Sequence, residues 1–373
     1  MKLKDIGVLC KMDIQEMAGR MSQRTDASIS REELLEALLR TAEELQLTEQ
    51  EVYDSIDEAM KRNYYCIPPV VWKLSDSDTS VLKFRKSYIN HVHILSIHNR
   101  LIPPKPKNGV RVVTYNVHFW TDPFELDINH KDVMTMIRYL DIDIIGLQEA
   151  LIPGGKERDS HSSFGWTIKD TFGQLLRFGY TINGCRASKV ASRGRTGFGN
   201  ILAVSEDVPV LSSESMILPA SKEARCAVIN TVNLFSRKTV IATVHLDVAD
   251  KTGRTRRQQI HRLLEFLETE YPEEPKMVMG DFNCLRYEDY TPRERDWIDR
   301  NSRGGIDYDT VREIEGRGYT DIFASGCLKF TVWTGRRVDY VFVKDFPFKI
   351  ASTQVFYTPV SDHLPLVVDL LPE

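Results

Sequence analysis

From Val110 to the C-terminus, short apolar runs recur, and most of them end in a polar residue. Arg111 to Tyr115 predicts a strand ending in Asn116, and Ile142 to Leu147 one ending in Gln148 and Glu149. Lys238 to Val244 predicts a strand that stops at His245, Leu246 and Asp247, with Arg225 to Leu234 as its neighbour. Met277-Val278-Met279 reads as a buried strand that breaks at Gly280 and delivers Asp281 and Asn283. Gly197 to Val204, Val338 to Val343 and Leu366 to Leu370 complete the predicted strands. Between them, Asp132 to Leu140 and Gln258 to Thr269 carry apolar residues at helical spacing, the second through Ile260, Leu263, Leu264 and Leu267. Strands alternating with helices define an α/β domain over 109–373.

The first 65 residues follow a different period. Asp13-x-x-Glu16, Ser30-x-x-Glu33 and Thr48-x-x-Glu51 are capping-box patterns, each followed by apolar residues at helical spacing. A small helical region is expected there. Residues 66–108 form an irregular linker: Pro68-Pro69, a polar run at 75–78 and the proline-rich segment 103–106 break the periodicity. His91, His93 and His98 lie in this linker without supporting acids or cysteines, and they read as ordinary histidines rather than a metal site.

Composition narrows the class. With a net charge of -4 the chain is no polycation, so any nucleic-acid surface must be a local patch. Its 6 cysteines are widely spaced, with no CxxC pair, which argues against a zinc site or a disulfide framework and fits a reducing compartment. No apolar run reaches membrane-span length and the N-terminus lacks a secretory pattern, so cytoplasm or nucleus is the expected location.

Polar residues collect at the strand ends: Asn116, Glu149, His245, Asp281, Asn283, Asp339, Asp362 and His363. Acids, amides and histidines without cysteine suit a hard cation such as Mg²⁺, with Mn²⁺ as the alternative. Each residue alone has a structural explanation: a cap, a turn, or an ion pair of Asp339 with Arg336 or Arg337. Together and in order, they carry a resemblance. TYNVH (114–118), LQE (147–149), GNILAVS (199–205), the arginine of ARCAVI (224–229), TVHLD (243–247), Arg256 with Gln259, GDFN (280–283), RVDYVFV (337–343) and SDHLPL (361–366) resemble the endonuclease/exonuclease/phosphatase, or DNase I-like, superfamily of Mg²⁺-dependent phosphodiesterases. Residues 1–109 lie outside it.

The resemblance implies a four-layer α/β sandwich of two mixed sheets, with one active site at their top. It implies Glu149 as principal metal ligand, with Asn116 and Asp362 beside it. Asp281 becomes the base that deprotonates water, Asn283 the residue that holds it, and His363 the phosphate donor oriented by Asp339. His245 would protonate or stabilise the leaving oxygen. Asn200, Arg225, Arg195 and Arg256 become the expected substrate contacts. Two positions depart from the DNA-repair members: His118 stands where they carry Asp, and His245 where abasic-site enzymes carry Tyr.

The expected substrate is an anionic phosphodiester. Arginine clusters at 186–195 and 254–262, with Phe119, Trp120, Phe198 and Trp333 as candidate stacking rings, favour nucleic acid. A phospholipid or inositol phosphate is the alternative within the fold. A catalytically inactive binding module is the alternative outside enzymology, disfavoured because the catalytic positions hold competent residues.

Overall fold

The computed structural model describes residues 102–120, 129–152, 168–187, 197–290, 306–324, 330–332, 336–358 and 360–373, with Pro292, Arg295 and Ile298. The expected N-terminal helices, the linker histidines, Arg195 and Trp333 lie outside the described residues. The chain divides into two units. One comprises Pro104–Ala324, Arg337–Gln354 and Val360–Glu373. The other comprises Met1–Pro103, Ser325–Arg336 and Val355–Pro359; within its described part, the amides of Thr331 and Val332 both donate to the Arg336 carbonyl.

The first unit is built on two six-stranded mixed sheets. Sheet one runs β11 (Lys349–Val355), β12 (Leu366–Leu371), β1 (Val110–Asn116), β2 (Ile144–Ile152), β4 (Gly197–Ser205), β3 (Tyr180–Arg186). Sheet two runs β5 (Val210–Leu218), β6 (Arg225–Leu234), β7 (Arg237–His245), β8 (Lys276–Asp281), β10 (Asp339–Lys344), β9 (Thr320–Asp321). Their central strands are apolar on both faces, as strands covered from both sides must be. Sheet one faces sheet two through β1, β2 and β4 against β8, β7 and β6. The sheets come close at Gly146, where an added Cβ would lie 2.7 Å from Thr243 Oγ1.

Helices α1 (His130–Tyr139), α2 (Ile168–Arg177), α3 (Arg254–Glu270) and α4 (Asp309–Gly316) accompany the sheets. Ile260, Leu263, Leu264 and Leu267 of α3 join Val311 and Ile314 of α4 in one core with Ala242, Val244, Val278 and Phe342 of sheet two. Among the described residues no helix is long and apolar enough to cross a membrane.

Every predicted strand and both predicted helices of the domain are present, with ends shifted by a few residues. The strands not anticipated are β3, β5, β9 and β11. These are the outermost strands of the two sheets. An edge strand has one paired neighbour and exposed side chains: β5 is mostly exposed, as is the first half of β11. Such strands lack the continuous apolar run that reveals a central one.

Buried ion pairs tie the strand order together. Arg111 of β1 donates through Nε and Nη2 to Asp369 of β12, at 2.7 and 3.0 Å, and through Nη1 to the Leu140 carbonyl. Arg337 pairs with Asp289 and Asp321, so it is not the partner that the sequence reading offered Asp339. Removing one member of a buried pair leaves an uncompensated charge. Asp369→Leu is therefore expected to destabilise the domain by about 3–5 kcal/mol, whereas Arg111→Leu with Asp369→Leu recovers most of that loss. Urea unfolding of the three variants checks it, and equal loss in the single and double variants would count against the ion pair as the cause.

Candidate active site

Strand register assembles half of the site. His245 lies opposite Asp281 across the parallel β7–β8 pair, and Asp339 lies opposite Asp281 across the antiparallel β8–β10 pair. Three functional side chains therefore sit in one row at the end of sheet two. Gly280 allows this row to form. Its φ is 144°, and an added Cβ would come within 2.0 Å of the Val244 carbonyl oxygen, so β8 can approach β7 there only without a side chain.

Sheet one supplies the other half. Asn116 ends β1 opposite Gln148 of β2. The pairing of β2 with β4 shifts between Leu147 and Ala150, and Glu149 takes φ 54° in this bulge. Gln148 stays buried and donates to Thr114 Oγ1, the Gly146 carbonyl and Thr243 Oγ1, so it bonds across to sheet two. His363 arrives from the turn before β12, where Ser361 Oγ donates to the Asn116 carbonyl.

The halves meet on one atom. Asp281 Oδ2 accepts from Asn116 Nδ2 at 3.1 Å and lies 3.4 Å from His245 Nε2 and 3.6 Å from His363 Nε2. Asp281 Oδ1 accepts from the Asn283 amide, whose residue holds φ 49°. Asn116 Nδ2 also reaches Glu149 Oε1 at 3.3 Å, while its Oδ1 accepts from the His118 amide. In this arrangement Asn116 bridges the two acids through its nitrogen, and its oxygen would reach a cation only after the amide turned.

Burial sets the charges. Burial is the largest effect on Asp281 and, with Asp339 adding to it, raises its pKa to about 7 against the opposing pull of His363 and Asn116. Burial and Asp362 likewise raise Glu149. Burial opposes charge on His363, but Asp339, 2.9 Å from Nδ1, and Asp281 outweigh it and hold His363 well above the ordinary histidine range. His245 goes the other way: burial, then Arg225 and His363, push it well below that range. The site thus holds one charged and one neutral histidine.

A divalent cation suits this donor set. Among the described residues Glu149 Oε2 is buried without a hydrogen-bond partner, and ligand atoms of Asp281, Asp339 and His363 lie within 4.8 Å of one another. The last group is not the set that the sequence reading assigned to metal. His363, charged and bonded to Asp339, presents no lone pair, so oxygens of Asp281 and Glu149 are the better ligands.

The remaining expected residues fall into place differently. Asp362 is half-buried beside His363, with Oδ1 3.3 Å from Ser361 Oγ. Arg256 does not offer itself to a ligand: it is buried, with Nε on Asp307 at 2.7 Å and Nη1 on the Asp247 carbonyl, and it braces α3 against the loop after β7. Asn200 is also buried and donates to the Cys226 carbonyl, tying β4 to β6. Arg225 binds His245 Nδ1 at 3.0 Å and Glu223 Oε2 at 2.8 Å. Trp120 is fully buried and is core, whereas Phe119 stays half-exposed with its ring edge-on to Phe198.

Paired six-stranded mixed sheets with acids and histidines gathered at their strand ends define an α/β fold with a candidate site for a hard cation. A model of the endonuclease/exonuclease/phosphatase family matches residues 113–363, most of the chain, and the protein belongs to that family of hydrolases, which typically use a divalent metal on a phosphoester. No curated protein matches the chain. Among solved structures, an endonuclease/exonuclease/phosphatase from Beutenbergia cavernae is similar with TM-score 0.56 and 18% identity, over 70% of this chain and 71% of that one. The human Nocturnin catalytic domain with bound sulfate is similar with TM-score 0.50 and 21% identity, over 71% and 94%. ANGEL2, a 2′,3′-cyclic phosphatase, is similar with TM-score 0.50 and 15% identity, over 70% and 95%. At these identities the likeness is one of fold.

A cation must displace the proton that burial keeps on Asp281 up to about pH 7. Mg²⁺ affinity should therefore fall about tenfold per pH unit below that value and level off above it, with proton release on binding near pH 6. Calorimetry in buffers of different ionisation heat reads both effects. A pH-independent affinity would show that Asp281 does not hold the ion.

Proposed function

We propose that the protein is a Mg²⁺-dependent hydrolase of phosphodiester bonds in nucleic acid, acting by in-line attack of water. The observation that carries this reading is the convergence of Asn116, His245 and His363 on Asp281 Oδ2. Those groups position the carboxylate, and burial, which raises its pKa to about 7 against their pull, suits it to take a proton.

A divalent cation held by Glu149 and Asp281, with Asp362 and Asn116 beside them, would withdraw charge from a phosphoryl oxygen. The chain's own groups do the rest. Asp281 orients the attacking water and takes its proton on the carboxylate oxygen that the cation would leave free. Asn283, whose Nδ2 donates to the Leu246 carbonyl, keeps Oδ1 to hold that water. His363 points a charged Nε2–H at the phosphoryl group, and Asp339 on Nδ1 keeps it charged. His245 is neutral, so its Nε2–H gives a hydrogen bond to a developing oxyanion rather than a proton. The charged His363 is then the better proton donor of the two. With water as the nucleophile, no covalent enzyme intermediate forms.

Nucleic acid is favoured as substrate by the half-exposed Phe119 near the strand ends and by the exposed Arg254 and Arg262 of α3. ANGEL2, a phosphatase of the same fold, acts on a cyclic phosphate. A panel in Mg²⁺ of single- and double-stranded DNA, abasic DNA, 5′-tyrosyl DNA, RNA, sphingomyelin and inositol phosphates separates the substrate classes. Turnover confined to the lipid or inositol substrates would overturn the nucleic-acid assignment, and none on any substrate would leave a binding role.

On the best substrate, Asp281→Asn and His363→Ala should each lower kcat by about a thousandfold. Asp281→Asn should keep or raise the metal-free melting temperature, because it removes a charge that burial disfavours. Undiminished turnover in both variants would sink the mechanism.

A further inference from the structure

Arg225 stands at the start of β6, two residues before Ala227, which pairs with Val244 of β7. It is 2% exposed. Its guanidinium is already engaged. Nη1 meets His245 Nδ1 at 3.0 Å, and Nη2 donates to Glu223 Oε2 at 2.8 Å. Cζ lies 5.7 Å from the centroid of the Phe198 ring, which covers it on one side. Nε is buried with no hydrogen-bond partner among the described residues. Two of its nitrogens are thus committed to neighbouring side chains and the third is buried, which leaves less of the guanidinium to grip a phosphate.

The contact with His245 has only one chemical sense. Arginine has donors and no acceptor, so Nδ1 must accept. The imidazole proton then sits on Nε2. That atom lies 3.4 Å from Asp281 Oδ2 and 3.9 Å from Glu149 Oε1, at the centre of the site. His363 is oriented in the same manner by a buried partner on Nδ1, but its partner is the acid Asp339. The two histidines present like atoms to the reaction while their outer partners carry opposite charge.

We propose that Arg225 is a positioning residue that acts through His245: by donating to Nδ1 it fixes the ring and keeps its only N–H, on Nε2, directed at the reacting centre. This assigns Arg225 away from the direct substrate contact that the sequence pattern implied. It rests on the phosphoesterase reading for its kinetic consequence but not for the tautomer.

The test has a kinetic and a spectroscopic arm. With the best substrate, Arg225→Met and Arg225→Ala should lower kcat about 10- to 100-fold with KM changed less than about twofold. Added guanidinium ion should restore part of the activity of Arg225→Ala. In a double-mutant cycle, Arg225→Met should cost nothing further once His245→Ala is present. A raised KM with intact kcat, or losses that multiply in the double variant, would show that Arg225 touches substrate and would overturn the proposal. The second arm is ¹⁵N NMR of the histidine rings in the unaltered protein, which needs neither turnover nor a folded variant. His245 Nδ1 should resonate as an unprotonated acceptor and Nε2 as a protonated nitrogen; a proton on Nδ1 refutes the assignment. If the protein hydrolyses nothing, the functional reading fails while this arm still decides the tautomer that Arg225 fixes.

Discussion

One buried oxygen, Asp281 Oδ2, links the two sheets chemically. Asn116 reaches it from sheet one, His245 from β7, and His363 from the turn that leads into β12. A carboxylate there is expensive to bury, and burial accordingly raises its pKa. The fold nevertheless holds it with hydrogen bonds on both sides. The Asn283 amide bonds its Oδ1, and backbone bonds from Leu246 and Phe282 reach the Asp281 and Val338 carbonyls on either side. A group kept at such cost is best explained by the charge it is meant to meet, which is why the donor set is read as a cation and phosphate site.

Backbone strain collects around that oxygen. His118, Phe119 and Trp120 take φ of 47°, 57° and 59° in succession, and Glu149 and Asn283 also lie in the left-handed region. Non-glycine residues adopt this region at a cost of about 1–3 kcal/mol each, and persist there only when the surroundings dictate it. Here they are dictated. The His118 amide is bonded to Asn116 Oδ1, and Trp120 is anchored by complete burial and by backbone bonds to Val117 and Asn129. The strained turn begins at His118, two residues after Asn116.

The sequence revealed most of what lies in the middle of the sheets and little of their margins. Central strands announce themselves as apolar runs, because both faces are buried. β3, β5, β9 and β11 do not, because an edge strand satisfies no such rule. The site followed the same logic. Asn116, Glu149, His245, Asp281, Asp339 and His363 stand at the ends of central strands or in the turn beside them, and the structure brings them together. Asn200 and Arg256 were harder to place. Their chemistry suits a ligand, but each is consumed by a partner remote in sequence: Cys226 for Asn200, and Asp307 for Arg256. No spacing in the sequence encodes those distant pairings.

The two histidines show why residue type alone underdetermines mechanism. His245 and His363 look interchangeable as polar residues after a β-strand or before one. Both put Nε2 within 3.6 Å of the same carboxylate oxygen. They differ in what stands behind them. An acid behind His363 stabilises the imidazolium, whereas burial first and then the arginine behind His245 disfavour it. The pair can therefore divide the labour of phosphoryl transfer, with a proton and full charge available from one side and a neutral hydrogen bond from the other. Had both been charged, the site would hold two cations against Asp281 before any metal arrived, and the affinity for a divalent ion would suffer. With His245 neutral, the ring that touches Asp281 from β7 adds no charge of its own, and the positive charge on that side stays on Arg225, behind the ring.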